Sequence, residues 1–267
     1  MKKFAVIGSP IKHTRSPEIH YLFSTQTGIK ISYEAIEVKP VDFYQSIVRL
    51  FSEGYDGLNI TLPLKGLAYE KSDKPSSLSV LTEAANTLWM ENGKIKADST
   101  DGEGLKLDMQ LKSLEVEGKK VLIVGAGGAS KSILPSILSL KPKQVMIINR
   151  TKQKAEVLAN KFNDQKIIVS GQGLHDVNEG FDGIINTSSH EIMGSKLDID
   201  NKVFKKILWA YDLMYLKKET NFLREARAHG VNRSYDGLGM LICQAALSFQ
   251  IWTGVKPNIN TVLRKLF

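Results

Sequence analysis

The chain is poor in the features that mark several common classes of protein. It has a single cysteine, Cys243, in 267 residues. An internal disulfide is therefore impossible, and no Cys/His spacing matches a zinc cluster, so no metal is expected. No window offers the roughly 18 uninterrupted apolar residues of a membrane span. At the N-terminus, MKKFAVIGSPIKH returns to proline and charge too soon for a secretory leader, so a cytoplasmic protein is expected. Blocks of like charge are also missing. The 36 basic and 28 acidic residues leave +8, but the lysines are scattered and none interleave with aromatics as in a nucleic-acid surface. A solvated basic surface, or a pocket for a small anion, accounts for that balance.

What is present is an alternation of short apolar strands and amphipathic helices. At 42% hydrophobic and 24% charged residues the composition is that of a globular protein, and the length suits about two domains. In the front half, strands are expected at 3–7, 31–38 and 57–60. Asn92-Gly93 joins strands 87–91 and 94–98 as a hairpin, since both turn residues tolerate positive φ. Helices follow at Ser16, expected to be an N-cap ahead of Pro17, then at 41–53 and 102–114. From Lys119 the pattern restarts, with strands at 119–124, 144–149, 166–169, 182–185 and 207–212. Helices are expected at 131–140 and 151–162, and a last apolar one at 237–253. Pro135 should kink the first of these or mark a late first turn. Repeated βα units predict parallel sheets with helices on their faces.

The sharpest local motif is Gly125-Ala126-Gly127-Gly128-Ala129-Ser130, between a strand and a helix. Glycines let a phosphate approach the backbone, and the helix N-terminus offers unpaired N–H groups, so dinucleotide binding is expected. The next strand ends in Asn149-Arg150-Thr151-Lys152, where an NAD site would carry a carboxylate for the ribose. Arginine and hydroxyl groups suit a 2′-phosphate instead, which points to NADP(H). Four polar clusters in the front half sit at strand ends: His13 to Pro17, Asn59 to Lys65, Asn86-Thr87, and Ser99 to Gly102. Asp101 could pair with Lys65, but spacing alone does not show that they meet.

GSPIKHTRSP, GLNITLPLK, EAANT, STDGEG, GAGGAS with NRTK, YDLMY and DGLGMLICQAA occur in this order along the chain. Over essentially its whole length the chain resembles the shikimate dehydrogenase family, whose members reduce 3-dehydroshikimate with NADPH. The resemblance implies two α/β domains. A substrate domain would take 1–103 and 237–267, a Rossmann-like NADP domain 104–236, and the last helix would return to the first domain. It implies that Lys65 and Asp101 are the catalytic pair. Thr14, Ser16 and Tyr215 would hold the substrate carboxylate. Asn59, Thr61, Asn86, Asp101 and Gln244 would line the ring, with Lys65 among them. The pyrophosphate would lie on Ala126, Gly127, Gly128, Ala129 and Ser130, and the 2′-phosphate on Asn149, Arg150 and Thr151. Thr187, Leu213 and Gly237 would flank the nicotinamide.

Substrate would then bind in a cleft between domains that opens and closes. His13 and His20 would be structural, Cys243 core, and Tyr211 either packing or a site contact. The chain departs from the family pattern at Thr14, Tyr21 and Ser99, and at Ser188-Ser189, where a proline is common. These changes leave shikimate against quinate undecided. The family leans towards monomers. A quinate- or NAD-using paralogue and a non-catalytic ligand-binding shell are the competing readings; retention of both Lys65 and Asp101 argues against the second.

Overall fold

A computed structural model describes residues 1–163, 167–191 and 197–266. The chain divides into two compact units, 1–105 with 241–267, and 106–240.

The first unit is built on six strands: β1 (Lys2–Gly8), β2 (Ile31–Glu37), β3 (Gly57–Ile60), β4 (Lys74–Pro75), β5 (Thr87–Glu91) and β6 (Lys94–Asp98). Their order is β2-β1-β3-β5-β6-β4. The sheet is mixed, as the hairpin expected at Asn92-Gly93 requires. β5 runs antiparallel to β6 because the Asn92-Gly93 hairpin reverses the chain, with φ of 52° and 71° at the two turn residues, and it is antiparallel to β3 as well. Helices α1 (Ser16–Thr27), α2 (Phe43–Ser52), α3 (Lys65–Glu70) and α4 (Ser77–Thr82) connect the strands. Gly28 ends α1 at φ 72°, as its position predicts. Ser16, however, is the first helical residue; Arg15 occupies the cap position and makes no side-chain cap bond. The core stacks Trp252 on Phe4 at 4.6 Å, and the Trp252 indole donates to the Leu88 carbonyl at 3.1 Å.

Two helices cross from unit to unit: α5 (Asp101–Leu111) and, after the second unit, α9 (Leu238–Thr253). The second unit holds β7 (Lys120–Val124), β8 (Gln144–Asn149), β9 (Ile168–Gly173), β10 (Gly183–Asn186), β11 (Trp209–Asp212) and β12 (Arg233–Tyr235), all parallel. From the far edge the order is β9-β8-β7-β10-β11-β12, the doubly wound dinucleotide order, with its switch point between β7 and β10. The central strands β7, β8 and β10 are buried apolar runs rich in Val and Ile, as where both faces of a sheet are covered. Helix α6 (Gly128–Ser139) starts three residues earlier than its apolar pattern suggests and runs unbroken past Pro135, so the late first turn is not seen. Helix α7 (Lys152–Lys161) follows β8, α8 (Asn221–Ala228) precedes β12, and α10 (Ile259–Leu266) ends the first unit. Of the strand expected at 166–169, Lys166 lies outside the described residues. Short elements such as α3, α4, α8, β4 and β12 had no periodic signal long enough to read. No helix among the described residues is long and apolar enough to cross a membrane, and none of their side chains form a metal-binding cluster.

Candidate active site

In the first unit, β3 delivers the chain to Thr61-Leu62-Pro63-Leu64, with a cis peptide before Pro63, and α3 then opens at Lys65. The turn is tied down by backbone bonds from Thr61 N–H to the Ile7 carbonyl (2.9 Å) and from Ser9 N–H to the Leu62 carbonyl (3.0 Å). Asp101 opens α5 after β6, where the helix dipole favours a carboxylate. The two side chains meet: Lys65 Nζ donates to Asp101 Oδ2 at 2.7 Å, with the lysine side chain 24% and the aspartate 7% exposed. Such a half-buried pair is held more firmly than a surface one and still reaches solvent.

The other oxygen of Asp101 is also engaged. Asn86 Nδ2 donates to Asp101 Oδ1 at 3.1 Å and to Gln244 Oε1 at 2.9 Å, with Thr100 Oγ1 also in reach at 2.8 Å. The Thr100 backbone N–H, which can only donate, meets Asn86 Oδ1 at 2.8 Å and so fixes which end of the amide faces the aspartate. Gln244 reaches this cluster because Gly104 has no side chain; a Cβ there would lie 2.6 Å from Gln244 Cβ. The expected substrate residues Lys65, Asn86, Asp101 and Gln244 are therefore brought together. Asn59 lies deeper, 5% exposed. Its amide accepts from the Tyr33 hydroxyl (2.7 Å) and donates to the Asn86 carbonyl (3.1 Å) and Ser248 Oγ (3.0 Å), so it is committed to the protein. Thr14 Oγ1 donates to Ser16 Oγ at 3.1 Å, which pairs the two hydroxyls expected to take a carboxylate. Thr61 is half-buried at its turn.

His13 is exposed. His20 is fully buried, stacks on Tyr33 at 4.1 Å, and neither ring nitrogen has a hydrogen-bond partner. Burial lowers its pKa to about 3, with Asn59 nearby opposing the shift, so the ring is neutral packing.

The second unit presents the glycine turn. Gly125 has φ +108°, and a Cβ there would lie 2.6 Å from Thr187 Oγ1. Thr187 instead bonds inward, donating to the Val124 carbonyl at 2.8 Å beside Ser130 Oγ at 2.6 Å, while Ser130 donates to the Gly125 carbonyl at 2.6 Å. These hydroxyls shape the turn. Gly127 and Gly128, with no atom within 4 Å of an added Cβ, leave open space in front of the α6 N-terminus, the shape a phosphate needs. At the end of β8, Asn149 Nδ2 donates to the Thr151 carbonyl (2.9 Å), and Arg150 and Thr151 are exposed. Gly237 N–H donates to the Met214 carbonyl (2.9 Å) and Leu213 N–H to the Asn186 carbonyl (2.9 Å), which places Leu213 and Gly237 side by side. Tyr215 is half-buried just beyond them.

Tyr211 is resolved as packing: its buried hydroxyl donates to Asp108 Oδ2 at 2.6 Å. Asp212 is the residue that sequence reading passed over. It is 1% exposed and accepts from Thr220, Asn186 and the Met214 N–H. Burial raises its pKa to about 6 against those bonds.

Family models match along the chain: the shikimate dehydrogenase substrate binding domain at residues 6–88, shikimate / quinate 5-dehydrogenase at 108–207, and the shikimate 5'-dehydrogenase C-terminal domain at 237–267. The shikimate dehydrogenase (NADP(+)) of Vibrio atlanticus (strain LGP32) is 40% identical over 99% of this chain and 96% of its own. Among solved structures, an Ael1 enzyme from Pseudomonas putida superimposes with TM-score 0.92 at 36% identity, covering 100% of this chain and 98% of that one. The shikimate 5-dehydrogenase of Thermus thermophilus, solved with NADP(H) and shikimate, gives 0.87 at 28% identity and covers 100% of both chains.

Proposed function

The chain belongs to the shikimate dehydrogenase family, and from that premise we propose how its own residues carry the reaction. The reaction is the NADPH-dependent, reversible reduction of 3-dehydroshikimate to shikimate, a step of aromatic amino acid (chorismate) biosynthesis. Reducing a ketone adds a hydride to carbon and a proton to oxygen. Bound NADPH supplies the hydride. Lys65 supplies the proton in the reducing direction and takes it back in the other. An ammonium aimed at the carbonyl oxygen also stabilises the negative charge that develops there. Asp101 holds that ammonium in place, and the single observation that carries the assignment is the 2.7 Å bond between them.

We assign substrate binding to the first unit, with Thr14 and Ser16 on the carboxylate and Thr61, Asn86, Asp101 and Gln244 around the ring hydroxyls; Tyr215, a residue of the second unit, is assigned to help at the carboxylate. Asn59 acts from behind Asn86. The cofactor belongs to the second unit, with the pyrophosphate on Ala126 to Ser130 and the 2′-phosphate on Asn149, Arg150 and Thr151. Thr187 supports the glycine turn from inside, and Leu213 and Gly237 lie along the nicotinamide. We also read the protein as a cytoplasmic monomer that binds no nucleic acid. The test is a reduced-nicotinamide absorbance assay run with shikimate and with quinate, each against NADP and NAD. The expected result is turnover highest with shikimate and NADP; faster turnover with quinate or with NAD would overturn the assignment.

A further inference from the structure

Behind Asp101 lies a line of polar side chains joined end to end by hydrogen bonds. The Tyr33 hydroxyl donates to Asn59 Oδ1 at 2.7 Å, and burial pushes this phenol's pKa up, so it stays a donor. That bond turns the Asn59 Nδ2 towards Ser248 Oγ at 3.0 Å. Ser248 has three acceptors in reach, the Gln244 carbonyl (3.1 Å), Thr100 Oγ1 (3.3 Å) and Thr87 Oγ1 (2.7 Å). The Ser248–Thr87 contact is the shortest of these and either hydroxyl can donate in it; with the Ser248 proton there, the line runs on through Thr87. Thr87 then donates to Asn86 Oδ1 at 3.0 Å, and Asn86 Nδ2 donates to Asp101 Oδ1 at 3.1 Å. Asn59, Asn86, Thr87, Ser248 and Asp101 are each at most 5% exposed, so water does not compete for these bonds.

We propose that Tyr33, Ser248 and Thr87 are positioning residues for the reaction: through Asn59 and Asn86 they form a hydrogen-bonded chain that ends on Asp101 and fixes the carboxylate that holds Lys65. The proposal rests on the reading of Lys65 and Asp101 as the catalytic pair. Bonds in such a chain polarise one another, so the last donor to Asp101 is strengthened by those behind it. None of the three touches substrate in this account. They come from β2, α9 and β5, and lie five, three and two hydrogen bonds from Asp101 respectively.

Thr87 is the best place to cut, because Thr87→Val keeps the shape and removes the hydroxyl. Thr87→Val is expected to lower kcat about tenfold, the size of one lost buried hydrogen bond, with KM for shikimate changed less than about threefold. Thr87→Ser, which keeps the donor, is expected to stay within about threefold of the parent in kcat. In an Asp101→Asn background, Thr87→Val is expected to cost less than about twofold, since its effect travels through the carboxylate. Parent-like kcat in Thr87→Val, an equal loss in Thr87→Ser, or the same tenfold loss in the Asp101→Asn background would each overturn the chain. Should Thr87→Val not fold, Ser248→Ala cuts one bond earlier at a helical position where alanine is favourable, and carries the same expectations. Lys65→Ala, run beside these, separates the two ideas. Near-normal turnover there removes the pair itself, whereas a dead Lys65→Ala with an unaffected Thr87→Val removes only the chain.

Discussion

The two units use polar groups in opposite ways. The first buries a dense set of them and satisfies them internally: Asn59, Asn86, Thr87, Thr100, Asp101 and Ser248 are all nearly inaccessible and bonded to one another. The second leaves the groups proposed for the cofactor outside, with Gly127 and Gly128 exposed at the start of α6 and Arg150 and Thr151 exposed just before α7. A cofactor held by backbone N–H groups and surface charge needs only a contiguous turn. A proton donor that must stand at one atom needs support from several elements, and that support has to come from residues far apart in the chain.

This contrast gives variants with graded consequences. The largest effect is expected from Lys65→Ala, which should lower kcat by roughly 10²–10⁴ while shikimate binding changes much less, as comparison of steady-state rates with equilibrium binding would show. Turnover near the parent value would mean that the first unit's buried cluster is not chemical at all. Next comes Arg150→Ala in the second unit. Loss of one charge-assisted hydrogen bond predicts NADP weakened by roughly 10- to 100-fold, with NAD little altered. Equal weakening of both cofactors in titrations would deny the guanidinium a role at the 2′-phosphate.

The smallest effects concern acid stability, where the units should pull in opposite directions. His20 has its folded pKa lowered from 6.5 to about 3. Between those values the unfolded chain binds the extra proton, so stability falls as pH drops from about 6.5, by about 2 kcal/mol between pH 7 and pH 5. Asp212 has its folded pKa raised from 3.8 to about 6. In that window the folded chain holds the extra proton, so this group adds about 1 kcal/mol of stability over the same pH drop. Denaturant unfolding at several pH values should therefore show a shallower acid loss in His20→Phe and a steeper one in Asp212→Asn. If the His20→Phe slope matches the parent's, the buried imidazole does not govern acid stability.

The same contrast explains what could be read from the sequence. The second unit was legible because its signals are local: Val/Ile runs for a parallel sheet, GAGGAS opening a helix, and NRTK where an acid is expected for NAD. The hairpin at Asn92-Gly93 was legible for the same reason, and with it the antiparallel pairing of β5 and β6. Ser16 looked like a cap from composition, but Arg15 takes that position and leaves the Ser16 hydroxyl to Thr14. The proposed catalytic cluster was different. A lone lysine and an aspartate 36 residues on carry no joint signal, and only the family resemblance linked them before the fold did. Ser248 gave a faint cue, lying one helical turn beyond Gln244 on the same face, while Tyr33 gave none, because its partner is set by strand register.

The account stands on the amine and the carboxylate acting as one unit, and a kinetic cycle over Lys65→Ala, Asp101→Asn and the double variant measures that directly. Groups that work together are not additive, so the double variant should turn over within about threefold of Lys65→Ala alone. If instead the two losses multiply, each side chain acts independently, and the bond between them is structure without catalytic consequence.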